Sequence, residues 1–481
     1  MYTVNNKYEV NIGLEIHCQV ISESKLMSGS SARYGGTPNS HVSFYDAAFP
    51  GQLPLINKFC IEQAIKTGLG INATINKTSH FDRKHYFYAD LPSGYQITQQ
   101  FAPLVGRGTV EIVNEEGVAK SIRVNRIHVE QDAAKLIHDR NPNFSYVDLN
   151  RAGKALMEIV SEPDISSPYE AGEYVKKIRA MVRWLGTCDG NMDEGSMRCD
   201  VSLSLRPIGS KTLGTRVEMK NVNSVKFAVQ AAEFEAERQA KILDAGETVA
   251  QETRLFDPNS GKTKFMRSKE DAIDYKYFPD PDILPLVLED GLVDKVKAAM
   301  PEMPDAKRAR YIAEFGMSDA NAAQLTSDIA FANYFESAVK SCPDGKSISN
   351  WILGDLSALL NEANSSIEDS PVSPGALAEL VNIINDGTIS GKTAKDVLGF
   401  VYTERKSPKD IVAAKGLAQI SDTGAIEKAI DEVIASAPDN VAQYRSGKTA
   451  LFGWFVGQSL KALKGQGNPA MVNEILKSKL G

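Results

Sequence analysis

The sequence predicts an α+β fold, in which a largely antiparallel sheet with one apolar and one charged face is followed by two all-helical domains. Three observations carry this reading. Apolar and polar residues alternate in several segments before residue 291, and a period of two marks a half-buried strand. Capped segments with apolar residues three and four apart lie between those strands. Beyond Gly291 the strand signals thin out, and Ala- and Leu-rich helical stretches take over. At 481 residues the chain has room for roughly two to four domains of ~100–200 residues each. The expected division is 1–292, 293–405 and 406–481, with Lys406-Ser407-Pro408 as the second boundary and Ser365–Pro374 as a connection within the middle domain.

The elements follow in order. Val10, Ile12, Leu14, Ile16, Cys18 and Val20 alternate with Asn11, Gly13, Glu15, His17 and Gln19. Glu15 and His17 therefore share the polar face of one strand, and Cys18 falls on the buried parity. A strand from Ile122 to Asp132 sets His128, Glu130 and Asp132 on one face. Ser167-Pro168-Tyr169-Glu170 supplies an N-cap, a Pro at the first helical position and a capping-box Glu. Tyr174, Val175, Ile178, Met181, Val182 and Leu185 continue that helix until Gly186 ends it. Met197, Cys199, Val201, Leu203 and Leu205 oppose Arg198, Asp200, Ser202, Ser204 and Arg206 on the next strand. Val217 and Met219 oppose Arg216, Glu218 and Lys220. A second long helix is expected from near Val225 to Leu243, then a hairpin from Gln251–Asp257 and Thr263–Arg267. Tyr277-Phe278-Pro279-Asp280-Pro281-Asp282 is expected to be extended, because a residue before Pro avoids the helical region.

Composition excludes several classes. No run approaches the ~18 apolar residues of a membrane span, so no membrane association is expected. The N-terminus lacks a basic segment followed by an apolar one, so no secretory signal is read there. The cytosol is the expected location, or an organelle matrix. Five cysteines without a C-x-x-C pair argue against a disulfide framework and a four-cysteine zinc site. The 54 Lys/Arg against 61 Asp/Glu give a net charge of −7, unlike a chain that binds nucleic acid along its whole length. The last stretch, 440–481, differs: six Lys/Arg (Arg445, Lys448, Lys461, Lys464, Lys477, Lys479) face one acid, Glu474. A basic tail on an acidic chain fits an RNA-facing module or a solvated helical face.

The charged strand faces carry the candidate chemistry: Glu15, His17, His128, Glu130, Asp200 and Glu218. Hard carboxylate oxygens with an occasional imidazole suit Mg²⁺ or Mn²⁺. The cluster His80-Phe81-Asp82-Arg83-Lys84-His85-Tyr86-Phe87-Tyr88 adds two cations, Arg83 and Lys84, suited to phosphate oxygens. A metal ion together with cations that neutralise developing charge is what phosphoryl transfer needs. There is no Walker A loop and no G-x-S-x-G elbow.

The ordered motifs carry a resemblance. They are Gly13-Leu14-Glu15-Ile16-His17, Arg83 to Tyr88 with Leu91-Pro92 and Gly94-Tyr95-Gln96-Ile97, and His128-Val129-Glu130-Gln131-Asp132. Asp148 to Gly153 with Glu158-Ile159-Val160, Asp193 to Asp200, Lys220 to Ser224, Gln251 to Arg254 and Asp274 to Asp282 follow. Gly447-Lys448, Phe455 to Gln458 and Lys464 to Pro469 extend it into the tail. The chain resembles the B-subunit family of the glutamyl/aspartyl-tRNA amidotransferases (GatB) over nearly its full length. The resemblance implies a glutamine-synthetase-like cradle, a helical domain and a tRNA-binding helical tail. It implies ATP- and Mg²⁺-dependent phosphorylation of the side-chain carboxylate of glutamyl-tRNA(Gln), and of aspartyl-tRNA(Asn), followed by amidation. It also implies a glutaminase A subunit that delivers ammonia, and a small C subunit. Within that frame Glu15, His17, Glu130 and Glu218 are the expected metal ligands. Arg83, Lys84, Asp200 and Lys220 are the expected cofactor contacts, and Lys84, Glu130 and His128 the expected catalytic groups. Two features depart from the family pattern. Ser28, Ser30, Ser43 and Asp46 stand where some relatives carry cysteine pairs, so structural zinc is not expected. Gln131 and Ser93 replace a usual Glu and Lys.

Overall fold

The computed structural model describes residues 2–268, 274–419, 422–463 and 467–481. Lys464, Gly465 and Gln466 of the tail motif lie outside the described residues. The chain forms two compact units, Met1–Met303 and Pro304–Gly481.

The first unit is built on one mixed sheet. Its principal strands are β1 (Tyr8–Gln19), β2 (Gly108–Val113), β3 (Ala119–Gln131), β4 (Ala155–Ser161), β5 (Met197–Pro207), β6 (Val217–Val222), β7 (Glu252–Asp257) and β8 (Lys262–Ser268). Their order across the sheet is β8-β7-β6-β5-β1-β4-β3-β2, and the short strand Thr3–Val4 also pairs with β1. All these neighbours run antiparallel except β6 and β7, which are parallel with Glu218 opposite Thr253. The expectation of an antiparallel sheet is corrected at that pair. The chain between β6 and β7 passes through a long helix, and such a crossover returns the next strand in the same direction.

Three helices cover one face: α1 (Lys58–Gly70), α2 (Pro168–Leu185) and α3 (Val225–Asp244). Ser167 accepts from the Glu170 amide at the start of α2, and Gly186 ends it with φ 67° in the left-handed region, where glycine carries no Cβ penalty. Ser224 caps α3 through the Phe227 amide. Under these helices lie Ile12, Leu14, Ile16, Cys18, Val129, Met157, Ile159, Val201 and Met219, all buried. Each such side chain contributes about 1.5–3 kcal/mol by leaving water. The unit runs to Met303 because α4 (Leu292–Ala298) packs on α1 and Leu292 enters the sheet's core.

A small three-stranded ribbon, Phe278–Pro279, Asp82–His85 and Tyr95–Thr98, meets the charged side of β3. The Thr98 hydroxyl donates to Glu130 Oε2 at 3.1 Å, and Gln96 Nε2 donates to the Gln131 carbonyl at 2.7 Å.

Every named element of the second unit among its described residues is a helix. It holds two apolar clusters, one from Tyr311 to Val412 and one from Ile426 to Leu480. Ser407 and Pro408 open a helix whose Ile411 and Val412 join the first cluster. No helix among the described residues is long and apolar enough to cross a membrane.

Candidate active site

Strand register assembles the charged face. Glu15 lies opposite Asp200, and His17 opposite Arg198, across the β1–β5 pair. On the other side His17 lies opposite Glu158, which in turn lies opposite His128 on β3. Side chains of one parity point to one face, so residues far apart in sequence converge. His17 Nε2 is 3.5 Å from Glu15 Oε1, 3.6 Å from Glu158 Oε2 and 3.9 Å from Glu130 Oε1. Two trios, Glu15–His17–Asp200 and His17–Glu130–Glu158, each bring all their donor atoms within 4.8 Å of one another, and they share His17.

Cations flank the carboxylates. Lys220 Nζ is 2.6 Å from Asp200 Oδ2 and 3.3 Å from Glu218 Oε1. Glu218 also accepts from the Thr253 hydroxyl at 3.1 Å, and it lies outside both trios. Lys84 sits 4.9 Å over the Tyr275 ring and feels the charges of Glu130 and Glu158. Arg83 is bound to Asp280 and Asp282, each at 2.7 Å, and stacks 4.2 Å from the Tyr95 ring. The guanidinium is thus committed to residues almost 200 positions downstream.

The proton balance follows from crowding. Burial, reinforced by the Glu158 charge, lifts Glu15 to about 7 and Glu130 to about 8. Burial would lift Glu158 as well, but its hydrogen bond to His17 and the charges of His17 and Lys84 hold it below the usual carboxylate range. Burial disfavours charge on His17, yet Glu158, Glu130 and Glu15 outweigh it and raise the imidazole to about 9. His128 is different: burial lowers it to about 4 despite Glu158. It therefore stays neutral, accepts from Arg126 Nε and faces Glu158 through Nδ1 at 4.0 Å. Carboxylates that hold protons in a crowded, partly buried cluster exchange them readily for a divalent cation.

Of the residues nominated from sequence, register brings Glu15, His17, His128, Glu130 and Asp200 together, with Lys84 and Lys220 at the border. Sequence reasoning misses Glu158, although it sits at the centre. Its signal is a lone carboxylate in the apolar strand Ala-Leu-Met-Glu-Ile-Val-Ser. Arg198 is legible on the charged face but carries no role from sequence; it binds Asp132 at 3.0 Å.

The positions of the expected zinc departure also meet. Ser28 and Ser43 hydroxyls each lie 3.0 Å from Asp46, and the buried Lys25 ammonium lies 3.2 Å from it. Hydroxyls and a carboxylate already held by an ammonium are not a zinc donor set.

Comparison with known proteins identifies the family. Residues 10–294 match the GatB/GatE catalytic domain, and residues 333–480 match the GatB domain. The B subunit of the aspartyl/glutamyl-tRNA(Asn/Gln) amidotransferase of Gluconobacter oxydans (strain 621H) is 55% identical over 98% of this chain and 98% of its own length. Its namesake from Acidiphilium cryptum (strain JF-5) is 55% identical over 98% of this chain and 97% of its own. That of Rickettsia bellii (strain RML369-C) is 52% identical over 99% and 98%. With a catalytic-domain match over more than half its length and relatives this similar from end to end, the chain belongs to the family of aspartyl/glutamyl-tRNA(Asn/Gln) amidotransferase B subunits.

Proposed function

We propose that the charged face activates the side-chain carboxylate of glutamyl-tRNA(Gln), and of aspartyl-tRNA(Asn), by ATP-dependent phosphorylation for amidation. The observation that carries this is the pair of carboxylate–imidazole trios sharing His17 on an open sheet face, bordered by Lys84 and Lys220. In this reading the sheet unit is a glutamine-synthetase-like cradle, followed by a helical domain and a tRNA-binding tail. The two separate apolar clusters of the second unit support that division. The enzyme is completed by a glutaminase A subunit and a small C subunit, and works in the cytosol.

The donor set fits magnesium: hard oxygens with one imidazole, open toward substrate. Glu15, His17, Asp200, Glu130 and Glu158 would hold it, and bound Mg²⁺ would screen the phosphate charge. A substrate carboxylate oxygen attacks the γ-phosphorus of ATP; an O–P bond forms and ADP leaves. Ammonia then attacks the acyl carbon, the C–O bond to phosphate breaks, and the nitrogen loses a proton. Lys84 and Lys220 place positive charge beside the transferring group. Glu218 orients Lys220, and Glu130 lies where Lys84 and the ligand cluster meet. His128 acts through Glu158, since its own nitrogens face Arg126 and Glu158. Arg83 braces the Asp280–Asp282 segment beside Lys84. Of the basic tail, Arg445 is engaged by the carbonyls of Lys479 and Leu480, and Lys479 by Asp431. Lys448, whose ammonium donates to the neutral Gln443 side chain, Lys461 and Lys477 are then the described residues nominated for phosphate-backbone contact.

The test is ATP turnover by the assembled enzyme with and without glutamyl-tRNA(Gln). The expected result is hydrolysis that requires the misacylated tRNA and disappears in Glu15→Gln. Turnover that ignores the tRNA, or survives Glu15→Gln, overturns the reading.

A further inference from the structure

Lys84 is held differently from the other cations of the charged face. Arg83, beside it, is bound to Asp280 and Asp282, and Lys220 to Asp200 and Glu218. Burial favours the neutral amine of Lys84, but the charges of Glu130 and Glu158 outweigh it and keep the side chain protonated. Among the described residues its ammonium nevertheless forms neither a hydrogen bond nor an ion pair, with these two carboxylates or any other group. It lies instead over the face of the Tyr275 ring, 4.9 Å from the centroid.

The chain on either side of Lys84 docks that ring. Phe278 and Pro279 pair antiparallel with Arg83 and Asp82. The His85 amide donates to the Tyr275 carbonyl at 2.9 Å, and the His85 ring stacks on Phe278 at 4.8 Å. Lys276, next to Tyr275, is left-handed with φ 44°, a conformation that costs a lysine energy and persists where its surroundings impose it. Its amide donates to Asp274 Oδ1 at 3.1 Å. Tyr86 and Tyr277 meet Tyr275 edge to face, at 6.1 and 5.9 Å between centroids, and so fix the plane of its ring. A cation over an aromatic face is attracted by the ring quadrupole. A carboxylate in the same place would offset the charge and take up N–H donors. The ring leaves the charge in place and the donors on its far side unspent. The lysine stem is flexible, so without the ring the ammonium is free to fall onto Glu130 or Glu158.

We propose that Tyr275 is a positioning residue for the reaction: its ring face holds the Lys84 ammonium apart from Glu130 and Glu158 and keeps its N–H donors free for the group being transferred. The inference rests on the function proposed above. It gives the segment Asp274–Asp282 a part in that reaction through Lys84, without requiring it to touch substrate.

The test uses the complete multi-subunit enzyme and follows ATP turnover dependent on glutamyl-tRNA(Gln). Tyr275→Leu removes the π face and keeps an apolar side chain. It is expected to lower kcat about tenfold with the KM for ATP unchanged. Tyr275→Phe keeps the face and is expected to restore kcat to within about twofold of the wild type. Progressively fluorinated phenylalanines at position 275 keep the ring's shape while draining charge from its face. They are expected to lower kcat stepwise at an unchanged thermal midpoint. If Tyr275→Leu does not fold, the fluorinated series decides alone. A kcat that ignores fluorination overturns the proposal, because a ring that only fills space is indifferent to its quadrupole. So does a raised KM for ATP at unchanged kcat, which assigns the ring to the nucleotide instead. A flat series in an enzyme whose turnover still requires glutamyl-tRNA(Gln) removes the role of Tyr275 alone. Wild-type turnover that ignores the tRNA removes the function beneath it.

Discussion

The two faces of β1 differ by a single residue step and by everything else. Ile12, Leu14, Ile16 and Cys18 are at most 2% exposed against the helical layer. Glu15 and His17, interleaved with them, face a cluster of carboxylates and cations. One face is held by a non-directional force that rewards any apolar neighbour of suitable volume. The other is held by charges whose value depends on which partner stands opposite, at a few ångströms. The helical face therefore tolerates conservative exchange, whereas the charged face tolerates almost none. Strand continuity couples them, since a one-residue slip would exchange both sets at once.

The sharpest way to break this contrast is Glu158→Gln. It removes the carboxylate shared by His17 and His128 and should lower tRNA-dependent ATP turnover on the order of a hundredfold or more, with the circular dichroism spectrum unchanged. Turnover within a few fold of the wild type would remove Glu158 from the centre. On the other face, Ile16→Ala should lower stability by roughly 2–5 kcal/mol in denaturant unfolding while turnover per folded molecule persists. A large loss of turnover at full stability would show that the faces are not separable. Lys220→Met should act between these extremes. It frees Asp200 and Glu218 from their cation and should cost roughly ten- to a hundredfold in turnover, read as a change in kcat against KM for ATP.

The smallest effect belongs to the helical unit. Burial favours protonation of Glu336, but the Lys307 and Arg310 hydrogen bonds and charges outweigh it and hold the carboxylate below its ordinary value. A depressed folded value means stability that is present above about pH 4.3, the unfolded value, and that is lost as pH falls through the folded one. Glu336→Gln should therefore flatten the acid side of the unfolding profile. A profile as steep as the wild type's would assign the acid sensitivity elsewhere.

Much of the sheet is readable in advance because period-two alternation is local. The helices that start at Ser167 and Ser224 are readable because caps are local too. Five of the clustered residues, Glu15, His17, His128, Glu130 and Asp200, follow from parity and motif. Glu158 escapes notice because a single acid in an apolar strand resembles an edge residue until its neighbours are known. The parallel β6–β7 pair escapes because direction is a property of the connection rather than of the strand. The engagement of Arg83 by Asp280 and Asp282 is hidden for a related reason: no local pattern predicts a partner so far downstream.

The amino-acid sequence by itself determined which residues share a face, where helices begin and end, and which family the chain resembles, because each depends on spacing along the backbone. Tertiary structure alone decided that His17 is shared by two carboxylate trios, that Glu218 pairs with Lys220, and that Arg83 is held by Asp280 and Asp282. Those outcomes depend on strand order and register, which bring together side chains that are distant in the chain, and electrostatic energy falls with distance in space rather than along the backbone.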